Sequence, residues 1–249
     1  MNAKTIELNQ VNLFELGVRM HIMEGFLPWQ WCLVWWLVAL PCLLYGVYQL
    51  KKVLAADREA LPLLGVTGGF IFILSSLKLP SVTGSCSHPT GTGLSALSFG
   101  PWITAVVCAI VLLFQSMFLA HGGLSVLGAN IVSMGIVGPL VGYGIYRLLR
   151  DTSVHIYITV FLVTALADIF TYITTSFELA LAYPAETGGF ISSFIMFMVI
   201  FAVTQVPLAI VEGIVLALVF KYILALKPDI LIRLNIFSEE KIDAARGED

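Results

Sequence analysis

Long apolar runs alternate with short polar segments along the chain, and this pattern predicts a series of membrane-spanning helices. A helix needs about 20 apolar residues to cross a hydrocarbon core about 30 Å thick. The chain is therefore expected to be an all-α membrane protein, a bundle of about seven transmembrane helices. The predicted spans are residues 29–50, 61–79, 99–119, 124–149, 154–182, 190–204 and 207–226.

The charged residues between these runs predict the orientation of the bundle. Lys51, Lys52 and Arg58 follow the first run, and cytoplasmic loops carry an excess of such residues. The N-terminus is then expected outside and, because the number of spans is odd, the C-terminus is expected in the cytoplasm. Arg147 and Arg150 disagree with this orientation, because they fall on the outer side.

Composition excludes a soluble protein. Hydrophobic residues make up 59% of the chain and charged residues only 12%. The net charge of −3 gives no reason to expect a nucleic-acid partner, so the lipid bilayer is the expected environment. The four cysteines show no CxxC pairing, and apolar packing is favoured over a disulfide framework.

Three parts of the chain are distinguished by their polarity. Residues 1–19 mix charged and apolar residues without the apolar core of a secretory signal, which indicates a leader or a mis-assigned start. Residues 20–227 are the predicted metal-binding transmembrane domain. Residues 228–249 are polar and charged, and they form a predicted cytoplasmic tail.

Two polar segments, residues 20–25 and 85–93, are predicted to form a metal site together. If the working chain begins at Met20, three nitrogens lie in position to chelate one ion in a plane. They are the α-amine of Met20, the amide nitrogen of His21 and its imidazole Nδ1. His88 then supplies the fourth nitrogen. Such a set suits Ni(II), Cu(II) and, less strictly, Co(II).

The neighbours of His88 are expected to support it. Ser85, Ser87 and Thr90 are predicted to hydrogen-bond the other ring nitrogen and so to fix the tautomer. Cys86 is disfavoured as a ligand, because a soft thiolate would hold the ion tightly and hinder its release.

Other polar residues are predicted to have structural roles. His121 is expected at a helix end in a short inner turn, and Asp168 is expected to bond Tyr172 or Thr164 one turn away. Glu212 is expected to tie helices together near the site. Acids inside membrane spans are functional candidates by default, although none is predicted as a direct ligand here. These acids are Asp168, Glu178 and Glu212.

Two glycines four residues apart in the second run, Gly65 and Gly69, allow another helix to approach closely. Packing within this chain and contact with a separate membrane subunit are both open on this pattern alone.

Together these segments resemble the metal-binding subunits of energy-coupling factor transporters, the CbiM/NikM family, and most closely the cobalt branch, CbiM. The resemblance covers roughly residues 20–227. Residues 1–19 depart from the family pattern and would block the amine of Met20. The matching stretches are residues 20–28, 77–84, the HPTGTG loop of 88–93, 120–123 with 127–130, and 204–213.

The resemblance implies the substrate-binding subunit of a Co²⁺ uptake system that supplies cobalamin biosynthesis, as a multi-pass protein of the inner (plasma) membrane. Uptake of Ni²⁺ by the same machinery is the nearest alternative. The implied partners are a CbiN-like small membrane subunit, a CbiQ-like coupling subunit and a CbiO-like ATPase. The partner-helix role of Gly65 and Gly69 is favoured for this reason. No organic cofactor is expected.

The chain itself is not expected to be an enzyme. It lacks a GxxxxGK[ST] loop, so ATP hydrolysis falls to separate subunits. An intramembrane metalloenzyme is a less favoured alternative, because the sequence has no HExxH motif. An ion channel is disfavoured too, because the spans lack rings of polar residues.

Overall fold

The structure, a computed structural model, describes residues 22–77, 79–80 and 86–247. Within them the chain forms a bundle of apolar helices, as expected for an all-α membrane protein. Two-residue strands, β1 (Leu79–Pro80) and β2 (Cys86–Ser87), pair antiparallel. The helices are α1 (Trp29–Ala56), α2 (Ala60–Ser76), α3 (Thr92–Phe99), α4 (Pro101–Phe118), α5 (Leu127–Leu149), α6 (Ile156–Ala182), α7 (Gly189–Leu226), α8 (Pro228–Arg233) and α9 (Glu239–Gly247).

The surface of this bundle is apolar and its interior carries polar groups, which is the distribution that a lipid environment requires. Leu37, Phe118 and Val199 each expose more than half of their area. Helices satisfy their backbone hydrogen bonds internally, so apolar faces of this kind are stable in hydrocarbon. Five of the described helices are long and apolar enough to cross a membrane, and α2 is a shorter apolar helix.

The last two predicted spans, 190–204 and 207–226, are wrong as separate helices, because α7 runs through both without a break. Its 38 residues extend about 57 Å at 1.5 Å per residue. Pro207 lies inside the helix and removes one backbone donor. Membrane helices tolerate such a proline, because neighbouring groups satisfy the carbonyl that it leaves without a partner.

One end of the bundle, here called the Arg233 end, gathers charged residues from distant parts of the chain. The Arg233 guanidinium pairs with Asp57 and, at 2.7 Å, with Glu59. The hydrogen bond from Arg233 lowers the pKa of Asp57. In the adjoining α9, Lys241 Nζ donates to the carbonyl of Arg150 at 3.2 Å. The predicted separation of Arg147 and Arg150 from the other cationic loops is therefore wrong.

The opposite end, here called the His88 end, holds the first described residues. The side-chain amide of Asn130 accepts a hydrogen bond from the backbone N–H of Ile22 and donates one to its carbonyl. The Tyr183 hydroxyl donates to the carbonyl of Phe26. Glu24 N donates to Gly122 O at 3.2 Å. The turn between α4 and α5 therefore lies at this end, not at the inner end where it was predicted.

The segment from His88 to Gly100 explains the reversal of α4, α5 and α6 relative to the prediction. It begins at the His88 end and leads to Gly100, where an added Cβ would lie 3.8 Å from the ring of Tyr143. Tyr143 lies one turn before Tyr146, whose hydroxyl donates to the carbonyl of Ile236 at the Arg233 end. The extended residues and the short helix α3 thus make a pass through the bundle that the sequence analysis assigned to an outer loop. The number of transmembrane spans and the sidedness of the termini stay predictions.

Candidate metal site

The first described residues are fixed at the His88 end by three separate contacts. Ile22 N donates to Asn130 Oδ1 at 2.9 Å, and Asn130 Nδ2 donates to Ile22 O at 3.0 Å. Ser125 N donates to Glu24 Oε2 at 3.0 Å, and hydrogen bonds from Ser125 lower the pKa of Glu24. Gly123 leaves no room for a side chain against Glu24. The chain that follows His21 is therefore held in one place.

Glu212 of α7 anchors the loop that carries His88. Its carboxylate accepts hydrogen bonds from Thr90 N at 2.7 Å, from Gly91 N at 2.8 Å and from Thr90 Oγ1 at 3.1 Å. All of these groups are buried. Unpartnered backbone amides cost several kcal/mol in a membrane interior, so this carboxylate satisfies donors that an extended segment cannot satisfy itself. The expected role of Glu212 in tying elements together near the site fits this contact.

A second anchor comes from Gln205, two helical turns before Glu212. Gln205 Nε2 donates to the carbonyl of His88 at 3.2 Å and to both carboxylate oxygens of Asp168 at 2.8 Å. Asp168 was expected to bond Tyr172 or Thr164, and this expectation is wrong. Its partner lies on the neighbouring helix instead, so the acid links α6, α7 and the loop.

The two described hydroxyl residues next to His88 have hydrogen-bond partners on α7. Ser87 Oγ pairs with Thr204 Oγ1 at 2.7 Å, and Thr90 faces Glu212. Among the described hydrogen bonds, neither hydroxyl reaches the imidazole, and His88 Nδ1 lies 3.0 Å from the carbonyl oxygen of Pro89. This contact points to Nε2 as the atom that faces a ligand. Met20, His21 and Ser85 lie outside the described residues.

His121 lies beside His88, although the sequence analysis placed it at the opposite end of the bundle. Its ring centroid lies 5.1 Å from that of His88, with the ring planes at 64°, and both side chains are buried. Two of its neighbours have left-handed backbones, Ala120 at φ 46° and Gly122 at φ 75°. A left-handed alanine costs about 1–2 kcal/mol, and such strain persists only where the surroundings fix it. The available signal was the Ala-His-Gly-Gly sequence, which was assigned to the wrong end of the bundle.

The site therefore combines buried imidazoles with a backbone held by polar side chains from other helices. Imidazole nitrogen is a ligand for Co, Ni, Cu and Zn, whereas Mg²⁺ prefers oxygen. Within the described residues, no group of three or more His, Cys, Asp and Glu side chains is placed to hold a metal ion.

We expect Gly91→Ala to destabilise the protein and Gly144→Ala to leave it unchanged or slightly more stable. Gly91 has φ 71°, and an added Cβ would lie 2.8 Å from the Cα of Ile71. Such overpacking costs about 1–3 kcal/mol. Gly144 lies in α5 with nothing within 4 Å of an added Cβ, and alanine favours a helix by about 0.5–1 kcal/mol. Thermal unfolding of both variants in detergent checks this; equal melting temperatures would contradict the loop geometry.

Fold and site together define a multi-pass membrane protein of the metal-transporter class, and comparison with solved structures agrees. A truncated transition metal transporter superimposes with a TM-score of 0.71 over 82% of this chain and 98% of its own, at 28% identity. A second transition metal transporter gives a TM-score of 0.71 over 82% of this chain and 92% of its own, at 26% identity.

The chain belongs to the CbiM family, described as the cobalt uptake substrate-specific transmembrane region, whose model matches residues 21–230. A CbiM 2 protein of Methanosphaerula palustris is 68% identical over 91% of this chain and 97% of its own length. The cobalt transport protein CbiM of Chlorobium limicola is 55% identical over 82% of this chain and 80% of its own. The family resemblance, and with it a transporter component rather than an enzyme, is confirmed.

Proposed function

We propose that this chain is the substrate-binding membrane subunit of an energy-coupling factor transporter that takes up Co²⁺ for cobalamin biosynthesis. The observation that carries the proposal is the convergence of three segments at one end of the bundle. The segment beginning at Ile22, the His88 loop and the His121 turn meet there through direct contacts. Membership of a cobalt uptake family supports the identity of the cargo.

The proposed ligands are the amine of Met20, the amide and imidazole nitrogens of His21, and the imidazole of His88. Ile22 supports this set, because its two hydrogen bonds with Asn130 fix the chain directly after His21. The His88 loop is fixed separately by Glu212 and Gln205. Two independently held segments thus supply the nitrogens, and the ion joins them.

The proposed site suits nickel as well, because Ni(II) accepts a planar set of four nitrogens readily. Ni²⁺ uptake is therefore the second candidate function. It is distinguished from the first by measuring accumulation of both ions in the same cells, since names of related proteins do not decide the preference of this chain.

We further propose that α2 contacts a partner helix through Gly65 and Gly69. Both glycines are exposed, and among the described residues an added Cβ at either meets no atom within 4 Å. This exposure supports contact with a separate subunit over packing within this chain, the alternative that the sequence left open. The proposed partners are the CbiN-like, CbiQ-like and CbiO-like subunits, the last of which would hydrolyse ATP.

The proposed function is tested by comparing His88→Asn with His155→Asn. The first change removes a proposed ligand, so Co²⁺ affinity should fall by more than the roughly 10–100-fold that loss of an outer-shell partner costs. His155 caps α6 by accepting from Tyr157 N at 3.3 Å, and asparagine retains a cap. This control should bind and transport normally. Calorimetry and uptake of Co²⁺ measure both; undiminished binding by the His88 variant would refute the site.

A further inference from the structure

The two buried imidazoles at the His88 end are held by separate elements of the structure. His88 follows β2 in the loop anchored by α7, while His121 lies in the turn between α4 and α5. Their ring centroids are 5.1 Å apart, and the planes cross at 64°. The proposed four-nitrogen set uses only one of these rings, so the second needs its own explanation.

We propose that His121 is a further ligand of the cargo ion. Its imidazole would bind from outside the plane of the four nitrogens proposed for Met20, His21 and His88. This inference rests on the proposed function and deepens it. With the imidazole of His121 as an added ligand, the bound ion is five-coordinate instead of planar and four-coordinate. His121 would therefore help to select Co²⁺ over Ni²⁺.

The separation of the rings fits two imidazoles on one ion. A metal–nitrogen bond is about 2.1 Å, and the ring centroid lies about 1.1 Å beyond the nitrogen, so two adjacent imidazole ligands have centroids about 4.5–5 Å apart. The observed 5.1 Å lies just above this range. The Pro89 carbonyl 3.0 Å from His88 Nδ1 leaves Nε2 of that ring as the coordinating atom.

Backbone contacts of its turn fix the position of His121, in addition to the contact between its ring and that of His88. His121 N donates to Gln115 O at 3.2 Å, and Gln115 Nε2 donates to Ser75 Oγ at 2.7 Å. Ala120 is held at φ 46° in the same turn. A strained turn tied to two helices is typical of a side chain that is placed in advance for a ligand.

A fifth nitrogen changes which ion the site prefers. Nickel binds most nitrogen sites more tightly than cobalt, so a preference for cobalt has to come from geometry. Four nitrogens in a plane favour Ni(II). An additional imidazole outside the plane reduces the preference for Ni(II). A four-coordinate planar Ni(II) ion does not use this fifth ligand, whereas a five-coordinate Co(II) ion does. On this basis His121 raises Co²⁺ affinity relative to Ni²⁺.

The test uses the purified chain beginning at Met20, in which the proposed four-nitrogen set is complete, with His121→Gln and His121→Phe, and His155→Gln as the matched control. Calorimetry with Co²⁺ and with Ni²⁺ gives the ratio of affinities, and the visible spectrum of the cobalt complex reports its coordination number. We expect the Co²⁺ affinity of both His121 variants to fall about tenfold or more, the Ni²⁺ affinity to fall less, and the cobalt bands to change. The control should match the parent.

Several outcomes would overturn the inference. An unchanged cobalt spectrum and affinity in His121→Gln would show that the ring is not a ligand. Parent-like values in His121→Phe, which keeps a ring without nitrogen, would show that the role is packing. Equal losses for both ions would remove the role in selectivity. Failure of the folded parent to bind either ion would instead refute the proposed function, so the two failures are distinguishable.

Discussion

Glu212→Ala is expected to abolish cobalt uptake and to destabilise the His88 loop more than any other single change to its anchors. The substitution leaves Thr90 N and Gly91 N buried without their acceptor. Each unpartnered buried donor costs about 1–3 kcal/mol, so the loss of the acceptor for two backbone amides costs about 2–6 kcal/mol. Because total stability is only about 5–15 kcal/mol, much of the protein should fail to fold.

The measurements for this variant are the amount of folded protein in the membrane, thermal unfolding, and Co²⁺ uptake per folded molecule. Glu212→Gln keeps one carbonyl oxygen as an acceptor and should lose less stability. Glu186→Ala removes an exposed carboxylate and should match the parent. Normal uptake by folded Glu212→Ala would show that the anchor does not hold the functional loop.

A chain that begins at Met20 is expected to bind Co²⁺ and Ni²⁺ about a hundredfold more tightly than one that retains residues 1–19, a difference of about 2.8 kcal/mol. A peptide bond to Arg19 converts the amine into an amide. The chelate that the amine anchors is then lost, and imidazoles alone remain. Affinity for the shorter chain should fall as pH drops through about 6, because amine and imidazole, with pKa values near 7.7–8 and 6.5, must lose protons to coordinate.

Intact-mass analysis of metal-loaded protein measures the N-terminus directly, and calorimetry compares the two chains. Acetylation of the Met20 amine provides the matched control, since it blocks one atom and leaves the sequence unchanged. Full loading of the acetylated or extended chain would rule out the proposed chelate.

The fold class was predictable because apolar runs of membrane length are visible without any knowledge of packing. The direction in which each helix crosses the bundle was not predictable. Two segments of the chain account for this. The polar residues around Pro207 divide an apolar run, so one helix was interpreted as two. The extended segment after His88 is too polar and too short to be recognised as a pass through a bundle. Together these two errors reversed the predicted direction of the three helices α4, α5 and α6.

The arginines carried the information that would have corrected the path. Arg147 and Arg150 disagreed with the predicted orientation, and in the structure they lie with Arg233 and Lys241. His88 is a candidate from the sequence alone because its loop is rich in glycine and hydroxyl residues. His121 is not, because its role depends on which end of the bundle its turn occupies. Pairings such as Gln205 with Asp168 join distant helices, and no local pattern in the sequence specifies them.

The extended stretch from His88 to Gly91 has a consequence for how the ion meets the protein. Water normally hydrates backbone of this shape, but here Glu212 and Gln205 take its place. Polar side chains of the bundle thus hydrogen-bond the backbone of the loop in place of water. They are already oriented before any ion arrives. An incoming ion exchanges its own hydration shell for nitrogen ligands without also having to dehydrate the peptide groups beside it. Because these backbone groups of the loop already have partners, the proposed binding of a strongly hydrated cation would require water to leave only the ion and its ligands.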